Sequence, residues 1–406
     1  MFYVYNNILM EGDNNFYRYI DSVYPSRSAL ETLLAKKEKI QIYFGIDPTS
    51  PFIHLGHSIP LQLLNEFQEM GHQIILVFGD FTGMIGDPSG KDIHRTVLTN
   101  SQLNKNSLTY KSQVEKILDF SKNPPLITYN SKWWDKINTK KFLEIARGFT
   151  LSQLIERDLF QDRLKRGRPI SLSEFLYPLL QGYDSVALNI DIEVGGTDQL
   201  FNMLIGREMM KRYQKKEKIV ITTPLLEGAD GRKMSKSLGN IIEIENDPSN
   251  MYGKIMSIQD PLIVNYLTLT TKVSIEEIKK IKSAIDKGSL NPILAKKKLA
   301  YDLVSKYHEE NIAKSAAKEF ERVFQQKGTP KTVNYHLKQS KATIINVLYD
   351  SNLASSKSDA KRLIDQGGVE VNGHKLSSKE VEVELESGSI IRAGKFKAIK
   401  LIIEGK

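Results

Sequence analysis

The sequence predicts an α/β protein: a doubly wound parallel sheet, then a helical domain, then a small α+β module. Three observations carry this prediction. Apolar runs of strand length alternate with stretches at helical spacing between residues 39 and 226. From Ser274 to Gln326 the texture changes to lysine-rich amphipathic helices without β-branched runs. After the linker Gly328-Thr329-Pro330, short strand patterns return.

Taken in order, residues 1–34 read as an N-terminal helical segment. Lys39 to Gly45 is a strand ending in the turn Asp47-Pro48-Thr49-Ser50-Pro51, and apolar residues at helical spacing run from His57 to Met70. His72 to Gly79 is a second, nearly continuous apolar strand. A strand, a helix and a strand within about forty residues imply a right-handed crossover and parallel pairing. Asn189 to Val194 and Lys218 to Leu226 supply two more buried strands around a helix from Asp198 to Arg212. Residues 35–245 therefore form one domain, with a helical insertion at about 100–167. A helical domain at 246–330 and a module at 340–406 follow. In that module Ile344 to Gln366 reads as two short helices, and Val369 to Leu376 as a hairpin turning at Asn372-Gly373.

The chain has 406 residues, room for two or three cores. Its 57 Lys and Arg against 48 Asp and Glu leave +9, and residues 331–406 alone hold 13 basic against 9 acidic side chains. Such an excess favours a polyanionic partner. With no cysteine there is no disulfide framework, thiolate nucleophile or Cys-based zinc site. No basic segment leads into an apolar core at the N-terminus, and no long uncharged apolar run occurs. These features predict a cytoplasmic protein without a membrane partner.

Two short motifs carry the chemistry. His54-Leu55-Gly56-His57 puts a glycine between two imidazoles where a strand and a proline-rich turn give way to a helix, at the carboxyl edge of the sheet. Lys233-Met234-Ser235-Lys236-Ser237 supplies two ammonium groups from a loop that begins with Gly228 and Gly231. Together they suit one triphosphate and the charge that grows when its α-phosphate is attacked. Read alone, the histidines are most often capping or core residues, and the lysine loop a solvated one. The segment from Gly79 to Lys91 is glycine-rich but breaks the Walker order at Asp92, and its Asp87, Lys91 and Arg95 suit a zwitterionic ligand beside phosphates. Tyr177, Gln181 and Asp184 share one helix face among Leu176, Leu179, Leu180 and Val186, so they are buried polar groups in need of partners. Pro178 is an interior proline that could kink that helix and turn Tyr177 away.

At these residues the chain resembles the class I aminoacyl-tRNA synthetases, and within them the bacterial-type tyrosyl-tRNA synthetases. The resemblance covers nearly the whole chain. It is strongest at Tyr43-Phe44-Gly45-Ile46-Asp47-Pro48-Thr49, at Ile85 to Lys91, at Tyr177 with Gln181 and Asp184, and at Gly195-Gly196-Thr197-Asp198-Gln199. It implies a Rossmann-like catalytic domain in which Tyr43 and Asp184 bond the substrate phenol. Asp87, Tyr177 and Gln181 would then hold its ammonium, and Gln199 its carboxylate. Gly45, Asp47, Gly56, Gly196, Asp198 and Met234 would border the adenosine. Thr49, His54 and His57 would meet the phosphates, with Lys91, Arg95, Lys233 and Lys236 closing over the pyrophosphate. ATP enters as substrate with Mg2+, and no metal is bound by the protein itself. Glu193 stands where many relatives carry glutamine, and the lysine motif is the full version; both features fit a second bacterial subgroup.

The tail, Ala360-Lys361-Arg362-Leu363-Ile364 followed by Gly367 to Gly373, looks like the RNA-binding domain named for ribosomal protein S-four, with Lys357, Lys361 and Arg362 as its RNA contacts. The resemblance further implies a homodimer acting on tRNA(Tyr), with the helical middle domain and the tail gripping the anticodon arm. Two other readings compete with the enzyme. One is a catalytically idle RNA-binding cofactor on the same fold, and the other a small-molecule nucleotidyltransferase, which generally lacks the lysine loop and the tail.

Overall fold

Continuous apolar runs bounded by glycine and proline build a six-stranded sheet, seen in a computed structural model. The structure describes residues 15–88, 98–234, 238–325, 332–337, 341–354, 356–376, 382–394 and 397–403. A 3-10 turn (Asn15–Tyr19) leads into β1 (Ser22–Tyr24), α1 (Arg27–Lys36), β2 (Gln41–Ile46), α2 (Leu55–Glu69), β3 (Gln73–Phe78) and the short α3 (Thr82–Ile85). Then come α4 (Asn100–Val114), β4 (Leu126–Tyr129), α5 (Ser131–Trp134), α6 (Thr139–Ala146), α7 (Leu151–Ile155), α8 (Asp158–Lys165) and α9 (Leu172–Leu188). The sheet closes with β5 (Ile192–Gly196), α10 (Leu200–Met209) and β6 (Ile219–Thr223).

Strand order is β1-β6-β5-β2-β3-β4, parallel from β6 through β4. After β2 the chain moves to one side through β3 and β4, and then returns to the other through β5 and β6. The switch point between β2 and β5 opens a crevice at the strands' carboxyl ends, where such folds bind ligands. Two strands depart from the expected layout. β1 lies within the segment expected to be helical and pairs antiparallel with β6. β4 lies within the expected helical insertion and pairs with β3 as the far edge. Both are too short, at three and four residues, to show a period.

Helix α9 runs unbroken through Pro178, because the proline is buried in a helix already held by a capping box at Ser171 and Glu174. Tyr177, Gln181 and Asp184 therefore share one face. Two compact units emerge. One holds the residues up to Glu245 together with Gln259–Leu290, and the other Asn246–Ile258 with Asn291 onward. The stretch 259–290, expected in the helical domain, thus belongs with the sheet: Tyr266 Oη donates to the Glu227 carbonyl at 2.6 Å, and Arg18 donates to the carbonyls of Thr271 and Val273.

The second unit contains α11 (Pro248–Met256); α12 (Ile263–Thr270) and α13 (Ile275–Asp286) are in the first. α14 (Pro292–His308) and α15 (Glu310–Phe320) pack with α11. Its C-terminal part places α16 (Ile344–Asp350) and α17 (Lys357–Asp365) against a five-stranded sheet around a core of Ile344, Leu348, Val369, Ile391 and Leu401. The hairpin there turns at Asn372 and Gly373, with φ of 49° and 84°, which is the geometry an Asn-Gly pair favours. Among the described residues no helix is long and apolar enough to cross a membrane.

Candidate active site

A cavity of about 280 Å3 opens at the switch point. Its floor is built from β2 and α9. Tyr43, 1% exposed, points from β2 toward Asp184, 2% exposed, with 3.4 Å between Oη and Oδ2. Gly45 leaves space for that ring, since a Cβ there would stand 2.6 Å from Tyr43 Oη.

Asp184 is held from three further directions. Its Oδ1 accepts from the indoles of Trp133 at 2.7 Å and Trp134 at 3.1 Å, and its Oδ2 accepts from the amide of Asn130 at 3.2 Å. Burial drives its pKa up to about 7, against the pull of those three donors toward the ionised form. Burial also raises Tyr43 and Tyr177 well above the ordinary phenol range. Sequence reasoning did not single out Asn130, Trp133 and Trp134, which fall within the expected helical insertion. The available signal was their place directly after a strand, at the sheet's carboxyl edge.

The cavity wall is a connected set of polar groups. Asp47 accepts from Tyr177 Oη at 2.8 Å and from Thr82 Oγ1 at 2.7 Å. Gly79 permits this, because a Cβ there would lie 2.0 Å from Asp47 Oδ1. Gln199 Nε2 donates to Asp87 at 2.6 Å, and Asn202 Nδ2 donates to both Gln199 at 3.1 Å and Gln181 at 2.9 Å. Gln181 in turn donates to Glu193 at 3.3 Å. Arg157, almost wholly buried between α7 and α8, stands 3.7 Å from Asp87 and was also missed.

At the mouth, His54 caps α2 by accepting from Gly56 N at 3.1 Å through Nδ1. The rings of His54 and His57 stack at 3.8 Å with 19° between planes. Gly56 allows that approach, since a Cβ would meet the His54 ring at 3.0 Å and Met234 Sδ at 3.7 Å. Lys233, half exposed, reaches Asp198 at 2.6 Å. The residues that open α2 pair through the backbone with the run that follows the lysine motif: Leu55 N donates to Ile242 O at 2.8 Å, Ile244 N to Ile53 O at 3.0 Å, and His54 bridges Glu243. At the near end of the lysine loop Asn240 bonds Asp230, which, together with the neighbouring Arg232, lowers that carboxyl to about 2.

The cavity is lined by Tyr43, Gly45, Asp47, Thr49, His54, Gly56, His57 and Asp87 from the first half of the unit. Tyr177, Gln181, Asp184, Gly196, Asp198, Gln199, Lys233 and Met234 line it from the second. Lys91, Arg95 and Lys236 lie outside the described residues. Lys357, Lys361 and Arg362 are in the other unit, exposed along α17, with Arg362 paired to Asp359 at 2.7 Å.

Comparison with known proteins identifies the family. Residues 35–325 match the family described as tRNA synthetases class I (W and Y), and residues 319–400 match the tyrosine–tRNA ligase SYY-like C-terminal domain. The tyrosine–tRNA ligase of Moorella thermoacetica is 43% identical over 92% of this chain and 91% of its own, and that of Thermotoga maritima 41% over 93% and 94%. Among solved structures, a C-terminally truncated Aspergillus nidulans mitochondrial tyrosyl-tRNA synthetase aligns with a TM-score of 0.63 at 25% identity, covering 75% of this chain and 91% of its own. The chain belongs to the class I tyrosyl-tRNA synthetase family.

Proposed function

We propose that this protein activates L-tyrosine with ATP, giving tyrosyl-adenylate and pyrophosphate, and then transfers the tyrosyl group to the 3'-terminal adenosine of tRNA(Tyr). One observation carries the reading. The buried pair Tyr43 and Asp184 lines the same cavity as the stacked His54 and His57 and as Lys233. The substrate phenol meets Tyr43 and Asp184 at the cavity floor, and an apolar analogue forgoes hydrogen bonds to both. Asp87, Tyr177 and Gln181 take the ammonium, and Gln199 turns toward the carboxylate. Gly45, Asp47, Gly56, Gly196, Asp198 and Met234 border the adenosine.

No general base is required. The tyrosine carboxylate is already ionised, and one of its oxygens attacks the α-phosphorus as the bond to the pyrophosphate oxygen breaks. Alignment and charge stabilisation supply the catalysis. Thr49, His54 and His57 bond the phosphates, while Lys91, Arg95, Lys233 and Lys236 neutralise the departing pyrophosphate. Mg2+ would enter with ATP and share the charge of its triphosphate. The full lysine motif and Glu193 support assignment to the second bacterial subgroup.

Exposed Leu143, Leu151, Leu164 and Leu172 on consecutive helices support a homodimer whose second copy covers them. Lys357, Lys361 and Arg362 on α17 meet RNA phosphates, and the protein acts in the cytoplasm. The test is tyrosine-dependent exchange of pyrophosphate into ATP. Exchange with tyrosine, and none with phenylalanine or tryptophan, is expected; no exchange with tyrosine overturns the reading.

A further inference from the structure

We propose that Lys218 is a positioning residue for the bound amino acid, acting through Glu193 to fix which way the amides of Gln181, Asn202 and Gln199 face. The inference rests on the reading that Gln181 and Gln199 hold the two ends of tyrosine's amino-acid group.

Lys218 lies just before β6 and is fully buried, as is Glu193 on β5. Its ammonium pairs with Glu193 Oε2 and donates to Ser185 Oγ at 3.0 Å, and Ser185 Oγ donates to the same Oε2 at 3.2 Å. The fold is cut to admit this lysine. A Cβ on Gly206 would stand 2.6 Å from its Nζ, and one on Gly182 would meet the backbone nitrogen of Gly206 at 3.0 Å. Asp184 from α9 and Arg207 from α10 are the other charged groups acting on Lys218, and Tyr43 from β2 faces Glu193. A buried ion pair rarely adds stability over an apolar pair of the same volume, and its best-attested use is to specify one arrangement over another.

What it specifies here follows from donor arithmetic. A carboxylate only accepts, so the second oxygen of Glu193 requires the NH2 of Gln181. Gln181 must then turn its carbonyl to Asn202, whose NH2 serves both Gln181 and Gln199 through their carbonyls. Gln199 is left with its NH2 toward Asp87. Two carboxylates, Glu193 and Asp87, thus terminate a chain of three amides in one orientation. Without Lys218, Glu193 loses the cation that holds its Oε2, the carboxylate can turn away from Gln181, and the orientation is lost.

The test is pyrophosphate exchange with the full-length protein and three variants. Lys218→Met removes the cation that holds Glu193 in place. Glu193→Gln leaves the lysine to claim the new amide's carbonyl, so that its NH2 faces Gln181 and reverses it. Each single variant is expected to raise KM for tyrosine about tenfold, with kcat and KM for ATP within about twofold. The double variant, with no ammonium competing for the carbonyl of the introduced amide, is expected to return within about threefold of the unsubstituted KM. Inhibition by 4-ethylphenol, which lacks both the ammonium and the carboxylate, is expected to stay within about twofold throughout. If one single variant does not fold, the other measured against the double carries the same comparison.

Unchanged KM for tyrosine in the single variants that fold overturns the inference. So does a double variant no better than the worse single, or equal weakening of 4-ethylphenol, which has neither end of the amino-acid group. Absence of tyrosine-dependent exchange in the unsubstituted protein overturns the reading of the pocket itself, a separate failure.

Discussion

The floor and the mouth of the cavity are built on opposite plans. At the floor, Tyr43 and Asp184 are fully buried, and the carboxylate already has partners from Trp133, Trp134 and Asn130 on one short stretch of chain. At the mouth, His54 and His57 are half-buried and Lys233 is half exposed, meeting Asp198 across the opening. A preformed floor can read one side chain without rearranging. A mouth of long, solvated cations can close over a large anion and release it. Selectivity and rate should therefore come apart under mutation.

The largest separation is expected at the mouth. Lys233→Ala and His57→Ala should each lower kcat for pyrophosphate exchange about a hundred- to a thousandfold, with KM for tyrosine within about threefold. Steady-state kinetics check this, and a change confined to tyrosine KM would erase the division.

At the floor, Asp184→Asn should lower kcat/KM for tyrosine about ten- to a hundredfold while changing phenylalanine less. The same variant has a pH signature. A carboxyl raised to about 7 in the folded protein, against about 3.9 when unfolded, binds its proton more tightly when folded. Between those values the folded state carries more protons, so this group's contribution to stability falls as pH rises through the window, by an amount on the order of a few kcal/mol. Urea midpoints at pH 4.5 and 7.5 should show that slope in the unsubstituted protein and less of it in Asp184→Asn.

Glycines sharpen the contrast at smaller scale. Gly79→Ala forces a methyl against Asp47 and Thr82 and should cost about 1–3 kcal/mol in thermal or urea unfolding. Gly56→Ala meets only the His54 ring at 3.0 Å and a methionine, so its stability cost should be smaller and its effect should appear in kcat. Smallest of all is an optical change. The chain has two tryptophans, and both donate to Asp184, so added tyrosine should alter the emission of the unsubstituted protein. Trp133→Phe and Trp134→Phe should each lose part of that signal.

The sheet was legible where strands are long and dry. Ile74 to Phe78 and Ile219 to Thr223 are buried at every position, and such runs announce themselves. β4 and β1 did not, because Leu126-Ile127-Thr128-Tyr129 and Ser22-Val23-Tyr24 are edge strands with partly exposed faces. Site residues with a distinctive spacing, such as His54 with His57 and Tyr177 with Asp184, could be read directly. Lys218 and Arg157 could not, since a lone cation reads as surface until tertiary structure buries it. Asn130, Trp133 and Trp134 are an intermediate case: their types suggest packing, and only their position after β4 points to a ligand.

The lysine loop stands on two fixed feet. One is the turn from Glu227 to Lys233, tied to Tyr266, and the other is the run from Ile242 to Ile244, paired with the residues that open α2. A chain anchored at both ends is an arch whose reach is set by its length. Lengthening such an arch costs little in free energy, about 0.6 kcal/mol for each doubling. It would nonetheless move the crown relative to the histidines. Extra residues there should leave the melting temperature nearly unchanged while slowing the enzyme, a lesion that a stability screen would pass over.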